Sequence, residues 1–267
     1  MKTIKFTKMS GAGNDFIFLG PEYASLKEWA PAGARYLCRR RLAVGADGLI
    51  LVEKTSDGIF MHYYNSDGSK PAFCGNGARC LVRFCDAKGV APSPVTFRSE
   101  AGVHTGEVTD CGVRLSVRPP RSIDEAEIQI DGESYAVTHV EAGVPHAVLL
   151  VSDTDAIDVD GLGREIRNHP SFGMEGANAD FVGAGDGGEF SIRTYERGVE
   201  RETLACGSGC IAAAHVLREK GMAGDRVRLK VRSGAVLTAE FAPDTTPAVY
   251  LSGSADIVYE GEIELSR

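Results

Sequence analysis

Two short stretches of the chain could do chemistry. "FCGNGARC" (73–80) and "LACGSGCI" (204–211) each set a cysteine immediately before Gly-x-Gly. A cysteine at a helix start lies near the positive end of the helix dipole. That field favours thiolate and lowers the thiol pKa from about 8.5. The backbone N–H groups of Gly75-Asn76 and Gly207-Ser208 would have no helical acceptor and suit a carboxylate. Glycine also lets a ligand approach the backbone closely. Two such motifs facing each other across a cleft would hold one carboxylate between two helix N-termini. One sulfur would lie on each face of the adjacent carbon. That arrangement fits proton removal from one face and return to the other, which inverts a stereocentre next to a carboxylate. One of Cys74 and Cys206 must then be thiol and the other thiolate. The helix dipoles would stabilise charge building on the carboxylate.

Other uses of the cysteines stay open at this point. A thiol redox switch would need a resolving cysteine, and would leave the paired carboxylate cradles unexplained. A non-catalytic amino-acid-binding module would need the cradles but not a sulfur on both sides. Cysteine is also among the most buried residue types, and Cys38, Cys80, Cys85, Cys111 and Cys210 read as small core residues. Seven cysteines are an odd number for a disulfide framework, and no C-x-x-C pair suggests zinc. "GAGNDF" (11–16) begins like a dinucleotide fingerprint, but Phe16 stands where the third glycine belongs. No phosphate-cradling G-x-x-x-x-G-K-S/T run occurs, so nothing requires a nucleotide.

The elements that must carry the cysteines read as a duplication. "CGNGARCLVRFCDAKG" lies over "CGSGCIAAAHVLREKG" without gaps, with Cys, both glycines and the closing Lys-Gly shared. Each reads as a helix that begins after Gly-x-Gly and stops at a glycine suited to the left-handed C′ position. "CIAAAHVL" is apolar almost all round, as in a buried helix. "MSGAGNDFI" (9–17) over "MEGANADFV" (174–182) is a second echo, and "YYNSDG" (63–68) over "TYERGV" (194–199) a looser third. Further helices are expected at about 25–42 and 160–168. The basic run "CRRRL" (38–42) reads as a solvated helix face, and Asp15 and Asp180 as turn caps before strands. Most of the rest alternates like strands. The expected fold is α/β: two pseudo-symmetric lobes, each a β-barrel-like mixed or antiparallel sheet around a central helix. The N-terminal lobe spans 1–118, completed by a final strand at 256–267, and the C-terminal lobe spans 119–255. The boundary falls in "RPPRSID" (118–124), and the active site in the cleft between lobes.

Composition narrows the partners. The 267 residues are 43% hydrophobic and 25% charged, ordinary for a globular protein of one or two domains. The net charge of −8, with no Lys/Arg cluster that resembles a phosphate-binding patch, argues against nucleic acid. No segment reaches about 18 consecutive apolar residues, which argues against a membrane span. "MKTIKFTKMSGAGND" lacks the apolar stretch of a signal peptide, so a cytoplasmic location is expected.

"SGAGNDF", "VGADGLI", "NSDGSKPAFCGNGARC", "GVPH", "GANADF" and "YERGVERETLACGSG" together resemble the diaminopimelate epimerases, in order and nearly end to end. The resemblance implies interconversion of LL- and meso-diaminopimelate on the path to lysine and peptidoglycan. It implies no cofactor (neither pyridoxal phosphate nor metal), an amino-acid substrate and a homodimer. By motif, Cys74 and Cys206 match the acid/base pair, and Gly75, Asn76, Gly207 and Ser208 the carboxylate cradles. Asn14, Asn65, Asn178, Glu196 and Arg197 match substrate contacts. His146 and Glu196 match groups that assist near the reacting centre. An arginine suits a bidentate grip on the distant carboxylate. Two positions depart from the family pattern: Val144 where Asn is frequent, and Gly48 where some members carry Gln. The departures bear on the distal end of the substrate, so a two-cysteine racemase of histidine- or proline-type substrates is the alternative.

Overall fold

The structure is a computed structural model, and it describes residues 2–242 and 249–265. The chain divides into two compact units, Met1–Leu115 with Gly253–Arg267, and Ser116–Ser252.

The first unit opens with β1 (Lys2–Gly11) and β2 (Asn14–Leu19), an antiparallel pair. A 3-10 turn at Pro21–Leu26 and α1 (Ala30–Leu37) follow. The helix expected over 25–42 is therefore much shorter. Arg41 has a φ of 69°, which no helix tolerates, so "CRRRL" is a loop beyond the helix rather than a helix face. Next come β3 (Gly48–Thr55), parallel to β2, and β4 (Gly58–Asn65), antiparallel to β3. Then α2 (Gly75–Ala87) crosses to β5 (Val95–Ser99), parallel to β4. β6 (Gly102–Thr109) and β7 (Gly112–Val117) continue antiparallel. Cys111 sits in the β6–β7 turn and is exposed, not a core residue as expected, because a two-residue hairpin turn has no interior side.

The second unit repeats this pattern of pairings. β8 (Arg121–Ile130), β9 (Glu133–Glu141) and β10 (Pro145–Leu150) are successive antiparallel neighbours. After α3 (Val159–Arg167), capped by Asp158, comes β11 (Asn178–Ala184), parallel to β10. β12 (Phe190–Glu196) returns antiparallel and carries the short β13 (Arg201–Thr203). Then α4 (Gly207–Glu219) crosses to β14 (Arg226–Lys230), parallel to β12, and β15 (Val236–Phe241) and β16 (Val249–Gly253) close the series. β17 (Asp256–Leu265) returns to pair antiparallel with β1.

The order β17-β1-β2-β3-β4-β5-β6-β7 thus has the same sequence of parallel and antiparallel neighbours as β8-β9-β10-β11-β12-β14-β15-β16. This topology corrects one echo. β2 corresponds to β10 and β3 to β11, so "AGNDF" matches "AGVPH", and Gly48 matches Asn178. The similarity of "MSGAGNDFI" to "MEGANADFV" joins strands with different neighbours. The two departures from the family pattern are therefore symmetry mates of retained asparagines: Val144 of Asn14, and Gly48 of Asn178.

Each sheet is buried on both faces. In the first unit Ile4, Ile17, Leu19, Leu49 and Leu51 pack beneath Ala30, Ala34 and Leu37 of α1. The alternate residues of the same strands meet α2, where Gly77 comes so close that a Cβ would lie 2.8 Å from Ile50 Cδ1. In the second unit Ala147, Leu149, Ala179 and Phe181 pack against Val159 and Ile166 of α3, and α4 contacts β10, β11 and β15. Burying both faces makes most of β3 an apolar run, and on β11 it buries even Asn178 and Asp180.

Candidate functional site

Cys74 and Cys206 are the N-caps of α2 and α4. The helices begin at Gly75 and Gly207, so each Gly-x-Gly forms the first turn rather than preceding it. The Cys74 sulfur accepts from the Gly77 N–H at 3.5 Å, and the Cys206 sulfur from the Gly209 N–H at 3.4 Å. Both cysteines are extended, with φ of −142° and −114°, as an N-cap requires. Sulfur here takes the place usually filled by Ser, Thr, Asp or Asn. The first-turn N–H groups of Gly75-Asn76 and Gly207-Ser208 belong to the set that intrahelical carbonyls cannot reach.

The surroundings of the two sulfurs differ. Cys74 is half-buried and Cys206 buried. Burial pushes the Cys206 thiol well above its ordinary pKa, and the nearby carboxyls of Glu196 and Asp180 push it further; hydrogen bonds from Ser208 and Gly209 only partly oppose them. The lowered pKa expected from the helix dipole is not what Cys206 has. A partial charge at a helix end is outweighed by removal from water and two acidic neighbours. Burial also raises the Glu196 carboxyl at the end of β12.

In the first unit Asn14 and Asn76 meet: the Asn76 amide donates to Asn14 Oδ1 at 2.5 Å, and buried Arg79 donates to Asn76 Oδ1 at 2.7 Å. Asn14 donates in turn to Asp47. Asp15 is not a turn cap. It lies inside β2 and is bracketed by Lys8 at 2.7 Å and Arg40 at 2.6 Å. Burial raises the Asp15 carboxyl, but Arg40 and Lys8 together hold it below the usual range. Asn65, at the end of β4, forms a separate group, accepting from the Tyr63 hydroxyl at 2.6 Å and donating to Ser69 at 2.9 Å.

In the second unit His146, Asn178 and Arg197 are joined. Asn178 Nδ2 lies 3.3 Å from His146 Nε2, and the Arg197 backbone N–H donates to Asn178 Oδ1 at 2.7 Å. The Arg197 guanidinium pairs with Glu175 at 3.3 Å. Asp180, also expected to cap a turn, is instead a fully buried residue of β11. It lies 2.6 Å from His146 Nδ1 and accepts from the Thr194 hydroxyl at 2.7 Å. Its signal in the sequence was an acidic residue set among apolar ones in "ADFVGA". Arg40, Asp47, Arg79, Tyr63 and Ser69, which join these groups, carried no reading of their own in the sequence.

Comparison with known proteins adds the following. The family model described as diaminopimelate epimerase matches residues 6–118 and 138–258. A diaminopimelate epimerase of Aquifex aeolicus is 38% identical over 273 residues, covering 97% of this chain and 98% of that protein. One from Chlorobaculum tepidum is 39% identical over 262 residues, covering 96% and 100%. Among solved structures, a PhzF-family phenazine biosynthesis protein of Bacillus anthracis superposes with a TM-score of 0.78 at 14% identity, covering 99% and 100%. A probable proline racemase of Agrobacterium radiobacter gives 0.71 at 14% identity, covering 98% and 93%. At these identities the structural likenesses concern the fold.

Proposed function

The chain belongs to the diaminopimelate epimerase family, and we propose that it interconverts LL- and meso-2,6-diaminopimelate through two cysteines and no cofactor. The observation that carries this reading is the repeated cap: two cysteines at corresponding places in the two units, each sulfur held by the N–H three residues on. The cysteines would work on opposite faces of one α-carbon. A two-base reaction needs one thiol and one thiolate. The burial and acidic neighbours of Cys206 support it as the thiol in the resting protein, which leaves the thiolate role to Cys74. The first-turn amides of α2 and α4 would hold the reacting carboxylate and take up its growing charge.

At the distal end Arg197 would take the second carboxylate. Its present partner, Glu175, has a side chain 88% exposed, so exchange for a substrate carboxylate returns Glu175 to water at little cost. Asn178 and Asn65 would lie beside it, with Asn14 and Asn76 on the first-unit side. His146 and Glu196 would assist near the reacting centre. A cytoplasmic homodimer is the expected setting. Among the described residues no helix is long and apolar enough to cross a membrane. Exposed Ile257 and Val258 on β17 offer an apolar strip to a second copy, a state that sedimentation would read directly.

The test is incubation of protein dialysed against a chelator with LL-diaminopimelate, L-histidine and L-proline, scored by chiral chromatography. Inversion of diaminopimelate alone, without additions, is expected. A requirement for pyridoxal phosphate or a divalent metal, or a preference for either other amino acid, would overturn the reading.

A further inference from the structure

We propose that Asp180 is a positioning residue for the reaction: through His146 it sets the direction of the Asn178 amide, and so holds the backbone at Arg197. The argument begins at the one group with no choice. A backbone N–H can only donate, so the Arg197 N–H fixes the atom 2.7 Å away as the Asn178 oxygen. The amide nitrogen of Asn178 must then face His146 Nε2, at 3.3 Å. That ring nitrogen must accept, so the imidazole proton sits on Nδ1. Nδ1 lies 2.6 Å from Asp180 Oδ2, an acceptor. The other Asp180 oxygen takes the Thr194 hydroxyl at 2.7 Å, which orients the carboxylate itself. Reversing either link of Asn178 would set two N–H groups head to head.

The fold does not require this polar set. By strand register Phe16 in the first unit corresponds to His146, Gly48 to Asn178, and Ile50 to Asp180. The helix glycines agree. A Cβ on Gly77 would meet Ile50 at 2.8 Å, and one on Gly209 would meet Asp180 Oδ1 at 2.4 Å. The same junction is thus built once from apolar groups and once from a buried carboxylate, an imidazole and an amide. Buried polar groups cost stability unless fully paired, and apolar replacements are often at least as stable. What the second version adds is direction, and it ends at Arg197.

The proposal rests on the reading that Asn178 and Arg197 hold substrate, but its first test does not. In protein labelled with 15N-histidine, the His146 signals, assigned by their loss in His146→Gln, should show the proton on Nδ1 and a bare Nε2. A proton on Nε2 would overturn the proposal whether or not the protein turns over diaminopimelate. The second test is kinetic. Asp180→Val removes the acceptor and suits a strand, whereas Asp180→Asn keeps an oxygen that can face Nδ1. Partners that orient metal-ligating histidines are worth on the order of 10–100-fold, and the lower end is taken as the scale for His146. Asp180→Val should raise KM for LL-diaminopimelate about tenfold, and Asp180→Asn should recover most of that rise. An unchanged KM in folded Asp180→Val would overturn the positioning role. A wild-type protein inactive on diaminopimelate would sink the functional reading and leave the NMR result to decide this one.

Discussion

The two units use one set of pairings to place a cysteine at the start of a 13-residue helix, and then surround it differently. Behind Cys74 the first turn of α2 rests on Ile50, and the polar groups lie to the side, in the chain Arg79–Asn76–Asn14–Asp47. Behind Cys206 the first turn of α4 rests on Asp180, with Glu196 near by. The cap geometry is common, and the electrostatics are not. A duplicated fold can therefore supply two chemically similar groups and still give them different surroundings. The difference arises from what each helix start is packed on rather than from the helix.

The comparison breaks most visibly at the sulfurs. Replacing either Cys74 or Cys206 with Ala should abolish epimerisation in both directions, a loss of about 10²–10⁴-fold or more. Slow exchange of the α-hydrogen for deuterium should survive for one stereoisomer in each variant, and for opposite isomers in the two. NMR in deuterated water reads this. Equal exchange of both isomers by one variant would mean that the cysteines do not serve separate faces.

Placing the second unit's charge in the first should be costly. Ile50 is fully buried, and no counterpart of His146 stands beside it, since that position is Phe16. Ile50→Asp should destabilise by about 3–5 kcal/mol, measured by urea unfolding, because the new carboxyl has neither partner nor water. Little loss would show that the first unit can accommodate the polar version after all.

The pH dependence of the sulfurs sharpens the contrast. Burial first, and then the carboxyls of Glu196 and Asp180, hold Cys206 above its ordinary pKa, so removing a negative neighbour must favour the thiolate. In Glu196→Gln the pH profile of Cys206 alkylation should move to lower pH, and the rate at a fixed mildly alkaline pH should rise. Cys74, in the other unit, serves as the internal control. A shift to higher pH would mean that the carboxyl does not act on the thiol through its charge.

The smallest effect is expected from making the second unit resemble the first. The double variant Asp180→Ile with His146→Phe should cost only about 1–3 kcal/mol, from the Thr194 hydroxyl and Asn178 amide that lose their partners, while losing activity. A large fall in melting temperature would mean that the buried pair serves the fold.

How much of this was legible follows a physical line. Signals between neighbours in the chain could be read directly. Cys-Gly-x-Gly marks a helix start, Lys-Gly its end, and period-two runs such as "VTFRSE" are strands. The helix at 25–42 failed because nothing in the composition of "CRRRL" announces the left-handed turn at Arg41. β8 has no mark in the sequence, because its first five residues are exposed and show no apolar alternation.

Of the candidate site, the sequence by itself determined which residues could do chemistry and that the motif bearing the sulfur occurs twice. It also carried the family pattern, because motifs are local. Tertiary structure alone decided the rest. Pairing of β2 and β10 at corresponding places in the two sheets made Asn14 the counterpart of Val144, although the local resemblance pointed elsewhere. Burial turned Asp180 from a plausible turn cap into the partner of His146, and raised the Cys206 thiol against the pull of its own helix. Protonation and hydrogen-bond direction depend on how much water is excluded and on which charges come within a few ångströms. Those quantities are set by residues far apart in the chain, and no stretch of sequence contains them.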